Sequence, residues 1–419
     1  MAKIKKVRAR EILASGGEPT VEAEVQLESG VIAKASVPYG VSAGSYESVV
    51  LVDGDEKRYG GKGMLKVVDN IENEIGPAIA GMEVEDLKKI DEKMRELDGT
   101  KNKARLGGNA ILAVSMAAAR AGAAGREIPL YKYLKEIYGI EGEHKLPRPM
   151  VVMIEGGKHA DKSTDIQEYL VADLENQSVA DDIRMEMEIY MNLKQILEGK
   201  GMTTNVGNEG AFAGVGMKSN EGPLELVLEA IEKAGYKAGK DAGLAIDAAA
   251  SEFFEEGKYV LKAEGRSLTA EEMIEMYGEW REKYPIVIME DMLAEDDWGA
   301  WVKLMEKLGD KTIILADDLT VTNTKRWQKA IEMKAANAIL IKLNQAGTVS
   351  ETVECCKLAR ENGLMTVPSH RGGGETNDTF MVDLAVAVGS EYIKVGPTRG
   401  ERVEKYNRLM RIEEELNNG

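Results

Sequence analysis

The stretches IVIMEDM (residues 286–292), IILADDL (313–319) and AILIKLNQ (338–345) decide the fold. Each opens as a short apolar run that meets a charged residue: Glu290, Asp317 or Lys342. Outward from them the same rhythm recurs in GLAID, ending at Asp247, in MTVPSH, ending at His370, and in YIK, ending at Lys394. Successive end points lie 43, 27, 25, 28 and 24 residues apart. One strand, one returning helix and two loops fill about 25–30 residues, so these are successive βα units. Continuous Val/Ile/Leu runs mark parallel strands buried on both faces. The expected fold is an α/β barrel, and in barrels the chemistry sits at the C-terminal strand ends.

Upstream the pattern differs. Residues 5–14, 19–27 and 31–37 alternate apolar and polar, the period of half-buried strands, with Gly16-Gly17 and Ser29-Gly30 as turns. VPYGVSAGSYES (37–48) has neither period and reads as a loop. Residues 63–138 read as helical, and NAILAVSMAAARAGAAG (109–125) reads as a buried helix, small on nearly every face. GEHKLPRPM (142–150) carries two prolines and reads as a linker. The expected organisation is a small α+β domain over residues 1–138 and a barrel over 146–419.

Among 419 residues, 54 are basic and 72 acidic, a net charge of −18. A phosphate-backbone partner needs a basic face, so nucleic acid is not expected. Cys355 and Cys356 are adjacent and cannot form a disulfide framework, which suits a reducing compartment. Nothing approaches 18 uninterrupted apolar residues, and MAKIKKVRAREIL lacks the apolar core of a signal peptide. The expectation is a cytoplasmic protein with no membrane span.

Asp247, Glu290 and Asp317 end three strands. Carboxylates converging on one barrel mouth repel unless a cation neutralises them, and an all-oxygen set favours Mg²⁺ or Mn²⁺. Any one of them could merely cap the next helix. Three at regular spacing, followed by Lys342, His370 and Lys394, argue for a site. A lysine that directly follows a buried strand needs a partner, and a carboxylate–metal cluster is the obvious one. Desolvation and a nearby cation would lower its pKa, as a general base requires. His159 (EGGKHADKS) and His370 flank glycine-rich loops, and Arg371 with Gly372–Gly374 resembles an anion cradle. His144 lies in the linker and reads as structural. Glu168 (DIQE) and Glu209 (GNEGAF) could be surface acids by themselves.

From these residues outward the chain resembles the enolase family (phosphopyruvate hydratases). The resemblance runs from REILASGGEPTVEAEV (10–25) through LDGTKNKA, GGKHA, DIQE, GNEGAF, ADDLTVTN and IKLNQAGT to IKVGPTRGER (393–402). It implies a small α+β domain followed by a modified eight-stranded barrel, and reversible dehydration of 2-phosphoglycerate to phosphoenolpyruvate. It implies two Mg²⁺ per site: Asp247, Glu290 and Asp317 match the ligands of the first, and Ser42 the protein ligand of the second. Lys342 matches the base that removes the α-proton. Lys394 matches a second lysine that helps neutralise the substrate carboxylate. Glu209 matches the acid that protonates the departing β-hydroxide, supported by Glu168. His159 matches a lid histidine, while His370, Arg371 and Gly372 match the surroundings of the substrate phosphate. A lysine base with divalent cations is the general pattern of this superfamily. Family members form homodimers or larger rings of dimers.

The departures cluster near these residues. The family's DSRGNP, PSGASTG, NIINGG and GDEGGFAP become ASGGEP (14–19), PYGVSAG (38–44), VMIEGG (152–157) and GNEGAFAG (207–214). Its HRSGE becomes HRGGGE (370–375), which loses the serine that holds phosphate. One charge-assisted hydrogen bond fewer costs about 1.5–3 kcal/mol, or about 10- to 150-fold in affinity. Three readings remain open: a drifted enolase; a paralogue doing the same chemistry on a different 2-phospho or phosphono acid; and a non-catalytic scaffold.

Overall fold

The structure, a computed structural model, describes residues 2–40, 46–160, 163–175, 178–214, 216–217 and 219–418. The chain opens with an antiparallel three-stranded sheet: β1 (Ile4–Leu13), β2 (Pro19–Leu27) and β3 (Ile32–Ser36). Alternation sets its faces, with Val21, Ala23, Val25 and Leu27 fully buried on one side of β2. The helix Gly108–Gly125 packs on that face. Its Ala and Gly residues let neighbours approach on every side. At Gly122 a Cβ would fall 2.1 Å from the Tyr133 hydroxyl, so no larger residue fits there. These strands and this helix agree with the sequence reading to within a residue or two. Tyr39–Gly40 forms a two-residue strand, β4, inside the stretch read as loop.

The barrel sheet contains β5 (Arg148–Glu155), β6 (Glu168–Asp173), β7 (Phe212–Ala213) and β8 (Ala242–Asp247). A small antiparallel sheet follows: β9 (Phe254–Glu255), β10 (Lys258–Leu261) and β11 (Arg266–Leu268). The barrel resumes with β12 (Ile286–Glu290), β13 (Ile313–Ala316), β14 (Ala338–Ile341), β15 (Met365–Pro368) and β17 (Tyr392–Val395), with β16 (Gly373–Gly374) outside it. The order is β15-β14-β13-β12-β8-β6-β5-β17, and a Ser369–Lys394 bridge joins its two ends.

One feature departs from uniform βα units. β6 runs antiparallel to both β5 and β8. Its residues are as buried as those of its neighbours, so the apolar run carries no sign of its direction. The reversal matters for the site. The first residue of β6, Glu168, faces the last residues of its neighbours, Asp247 and Glu155. Inside the barrel, Met150, Val152, Leu170, Ile288, Leu340 and Val367 fill the space as a packed core.

Candidate active site

Chain direction brings the charges to one rim. Asp247 and Glu290 end β8 and β12, paired in register. Asp317 and Lys342 directly follow β13 and β14, and Lys394 lies in β17 beside the closing bridge. Lys394 Nζ sits 2.9 Å from Asp247 Oδ2, 2.7 Å from Glu290 Oε2 and 2.9 Å from Glu168 Oε2, with all four side chains buried. Lys342 Nζ pairs with Asp317 Oδ2, and Gln345 Nε2 donates to Asp317 Oδ1 (2.7 Å). Asp291 braces the rim from behind. At φ 44° it accepts from the backbone N–H of Asp317 (3.0 Å) and Asp318 (2.8 Å).

The three strand-end carboxylates therefore share a rim, but they converge on ammonium groups rather than on one another. Among the described residues, the groups of three such side chains whose ligand atoms lie within 4.8 Å of one another are His159–Glu168–Glu209 and Asp291–Asp317–Asp318. The lysine pKa values also run opposite to expectation. Burial lowers them, but the charges of Asp317 on Lys342 and of Asp247 on Lys394 outweigh it, and both lysines are raised. Sequence order shows desolvation; it does not show a carboxylate at contact distance.

The residues fit a divalent cation. Glu290 Oε1 is buried with no hydrogen-bond partner among the described residues. Burial, followed by the charge of Asp247, drives the Glu290 carboxyl well above its ordinary range. The repulsion between Glu290 and Asp247 is of the kind a Mg²⁺ on these oxygens would relieve.

The other wall is built on Glu209. Its Oε1 lies 3.6 Å from His159 Nδ1 and 3.5 Å from His370 Nε2, and His159 Nδ1 is 3.3 Å from Glu168 Oε1. Arg402 Nε donates to His370 Nδ1 (3.3 Å), which leaves the ring proton on Nε2, facing Glu209. Burial lowers the His370 pKa. For His159 burial is outweighed by the charges of Glu209 and Glu168, and the imidazole is pushed up to about 9. Burial would raise the Glu209 carboxyl, but the two histidines hold it far below the usual range.

Arg371 and the glycines form the third side. Arg371 Nη2 is 2.9 Å from Glu47 Oε1, and its backbone N–H donates to Glu375 Oε2 (2.9 Å). Gly373 and Gly374 pair with Gly40 and Tyr39 of β4. At Gly372 a Cβ would fall 2.7 Å from Glu209 Oε1 and 2.8 Å from His159 Cε1, so no side chain fits without displacement. These walls line one common pocket. Every sequence-predicted site residue lines it except Glu290, which reaches it only through its ion pair with Lys394, and Ser42, which is outside the described residues. Gln167, Gln345, Glu47 and Asp318 were not anticipated. Gln345 had a signal, being three residues beyond Lys342 and so one helical turn away. Glu47 had none.

A barrel whose rim gathers buried carboxylates, two lysines and two histidines defines an α/β-barrel enzyme. The model of the enolase C-terminal TIM barrel domain matches residues 143–419, and that of the enolase N-terminal domain matches residues 4–134. The chain belongs to the enolase family and is an enzyme of the enolase superfamily. No helix among the described residues is long and apolar enough to cross a membrane.

Proposed function

We propose that this protein is a hydro-lyase that reversibly dehydrates 2-phosphoglycerate to phosphoenolpyruvate, a step of glycolysis and gluconeogenesis. The observation that carries the reading is the facing of two unlike walls: lysines among carboxylates on one side, and Glu209 held by two histidines on the other. Lys342, once it has given up its own proton, takes the proton α to the substrate carboxylate, and Lys394 offsets the charge of that carboxylate. Glu209, supported by Glu168, is ionised in the ligand-free protein and must first take up a proton before it delivers one to the departing β-hydroxide, a poor leaving group without it. Asp247, Glu290 and Asp317 would hold one Mg²⁺, and Ser42 a second. Bound there, the cations supply the charge stabilisation that removing a weakly acidic α-proton demands. His370, Arg371 and Gly372 line the phosphate end, and His159 serves as the lid histidine. The family supports a small phosphorylated substrate. Residues 1–138 and 146–419 as two domains, a cytoplasmic setting and a homodimer or larger even assembly belong to the same proposal.

One observation favours a second reading. The backbone of Gly372 approaches Glu209 and His159 so closely that the family's serine has no room, so the phosphate end offers one donor fewer. The same chemistry on a different 2-phospho or phosphono acid follows from that. Incubation with Mg²⁺ and either 2-phosphoglycerate or a phosphono analogue decides between them. Robust, EDTA-sensitive formation of phosphoenolpyruvate supports the first reading. Turnover of the analogue alone supports the second, and turnover of neither, without Mg²⁺ binding, would leave a scaffold.

A further inference from the structure

Glu155 ends β5, is fully buried, and stands where the family pattern has Asn. Its Oε1 accepts two backbone N–H bonds, from Glu209 and from Ala211, each 3.0 Å. Other groups grip the same loop elsewhere. The Gly210 carbonyl accepts from Thr398 Oγ1 (2.7 Å) and Tyr190 Oη (2.8 Å), and the Gly207 carbonyl from Arg399 Nη2 (2.6 Å). At Gly396 a Cβ would fall 2.1 Å from the Glu209 carbonyl oxygen, so the loop lies flat on the turn after β17. Among the described residues, Glu155 alone bonds the amide of Glu209 itself. Its second oxygen, Oε2, is buried with no hydrogen-bond partner among the described residues and lies over Gly207, where a Cβ would come within 2.1 Å of it. The loop has changed in step: Asn208 stands where the family pattern has Asp. The acid stands here at the end of β5, the strand that pairs with β7 just after the loop.

We infer that Glu155 is a positioning residue for the elimination half of the proposed reaction, fixing the backbone of residues 207–211 so that the Glu209 carboxyl stays against His159 and His370. The inference rests on the proposed function. Charge is consistent with it. Burial and the nearby Glu209 charge push the Glu155 carboxyl up to about 8, so near neutral pH it sits beside Glu209 without a second full negative charge.

Glu155→Ala removes the acceptor; Glu155→Gln keeps an oxygen there without the charge. Two readouts decide. The first is deuterium exchange of the Glu209 and Ala211 amides in the ligand-free protein. In the Ala variant these amides exchange at least about tenfold faster, and in the Gln variant near the wild-type rate. The second separates the half-reactions on 2-phosphoglycerate: exchange of the C2 hydrogen with solvent, which needs Lys342, and formation of phosphoenolpyruvate, which also needs Glu209. The Ala variant loses about 10- to 100-fold in product formation, the scale of a misplaced catalytic group, while C2 exchange stays within about threefold. The Gln variant keeps both. If Glu155→Ala does not fold, Glu155→Asp withdraws the acceptor by about one C–C bond, roughly 1.5 Å, and is expected to show the same split. Unchanged amide exchange, or parallel loss of both half-reactions, overturns the inference. If the wild type acts on no 2-phosphoglycerate, the functional reading fails separately, and the amide exchange still decides the role of Glu155.

Discussion

Lys394→Met removes the one ammonium that Asp247, Glu290 and Glu168 share at 2.7–2.9 Å while keeping most of the stem. Breaking a buried ion pair costs about 3–5 kcal/mol, because the charge left behind is uncompensated. Here three carboxylates lose their counter-charge, so the cost lies at or above the lower figure. Domains of 150–250 residues lose about 2–4 °C in Tm per kcal/mol, which places the fall at about 6 °C or more in EDTA. Mg²⁺ would draw on the same carboxylates. At 100 times its Kd it adds about 2.7 kcal/mol to a folded state that alone binds it. In the wild type the ammonium competes for those oxygens, and in the variant it does not. The Mg²⁺-induced rise in Tm is therefore larger in Lys394→Met than in the wild type. Calorimetry in EDTA and across a Mg²⁺ series reads both quantities. A variant that melts with the wild type in EDTA, or whose Tm ignores Mg²⁺, refutes the reasoning.

Glu186 is fully buried, and neither carboxylate oxygen has a hydrogen-bond partner among the described residues; burial, then Asp173 and Asp182, raise its pKa well above normal. A raised carboxyl keeps its proton when folded and loses it when unfolded above about pH 4.3, so its contribution to stability falls as pH rises from there, by up to about 1.4 kcal/mol per unit. Glu186→Gln flattens that slope and is the more stable form at pH 8; denaturant midpoints at pH 5 and 8 check this. Gly372→Ser restores the family's residue but drives its Cβ into Glu209 and His159. Overpacking of this kind costs about 1–3 kcal/mol of stability, and by pushing Glu209 and His159 aside it lowers kcat/KM for 2-phosphoglycerate instead of raising it. Leu340→Ala opens a cavity in the barrel interior and costs about 2–5 kcal/mol in unfolding free energy, with KM unchanged in the surviving folded protein.

The strand ends were legible because apolar runs and their spacing encode burial and the length of a βα unit. Asp247, Glu290, Lys342 and Lys394 all stand where that rhythm put them. Glu168 was legible only as a resemblance. It reaches the rim because β6 runs backwards, and direction leaves no trace in a fully buried strand. The ion pairs were hidden for another reason. Lys394 meets residues 104, 147 and 226 positions away in the chain. A local reading therefore sees a desolvated lysine and expects a lowered pKa where the contacts raise it. The pairing of β4 with β16 joins residues more than 330 apart, and it positions Arg371 under Gly40, where a Cβ would fall 2.3 Å from its Nε. Two-residue strands have no periodicity to detect.

The central claim is that Lys342 removes an α-proton at this rim. Its most direct test is solvent hydrogen exchange at C2 of 2-phosphoglycerate, followed by NMR in deuterated buffer with Mg²⁺. In the wild type C2 exchange accompanies phosphoenolpyruvate formation, and both are lost in Lys342→Ala and in EDTA. Exchange that persists in Lys342→Ala would contradict it, since another group would then be taking the proton.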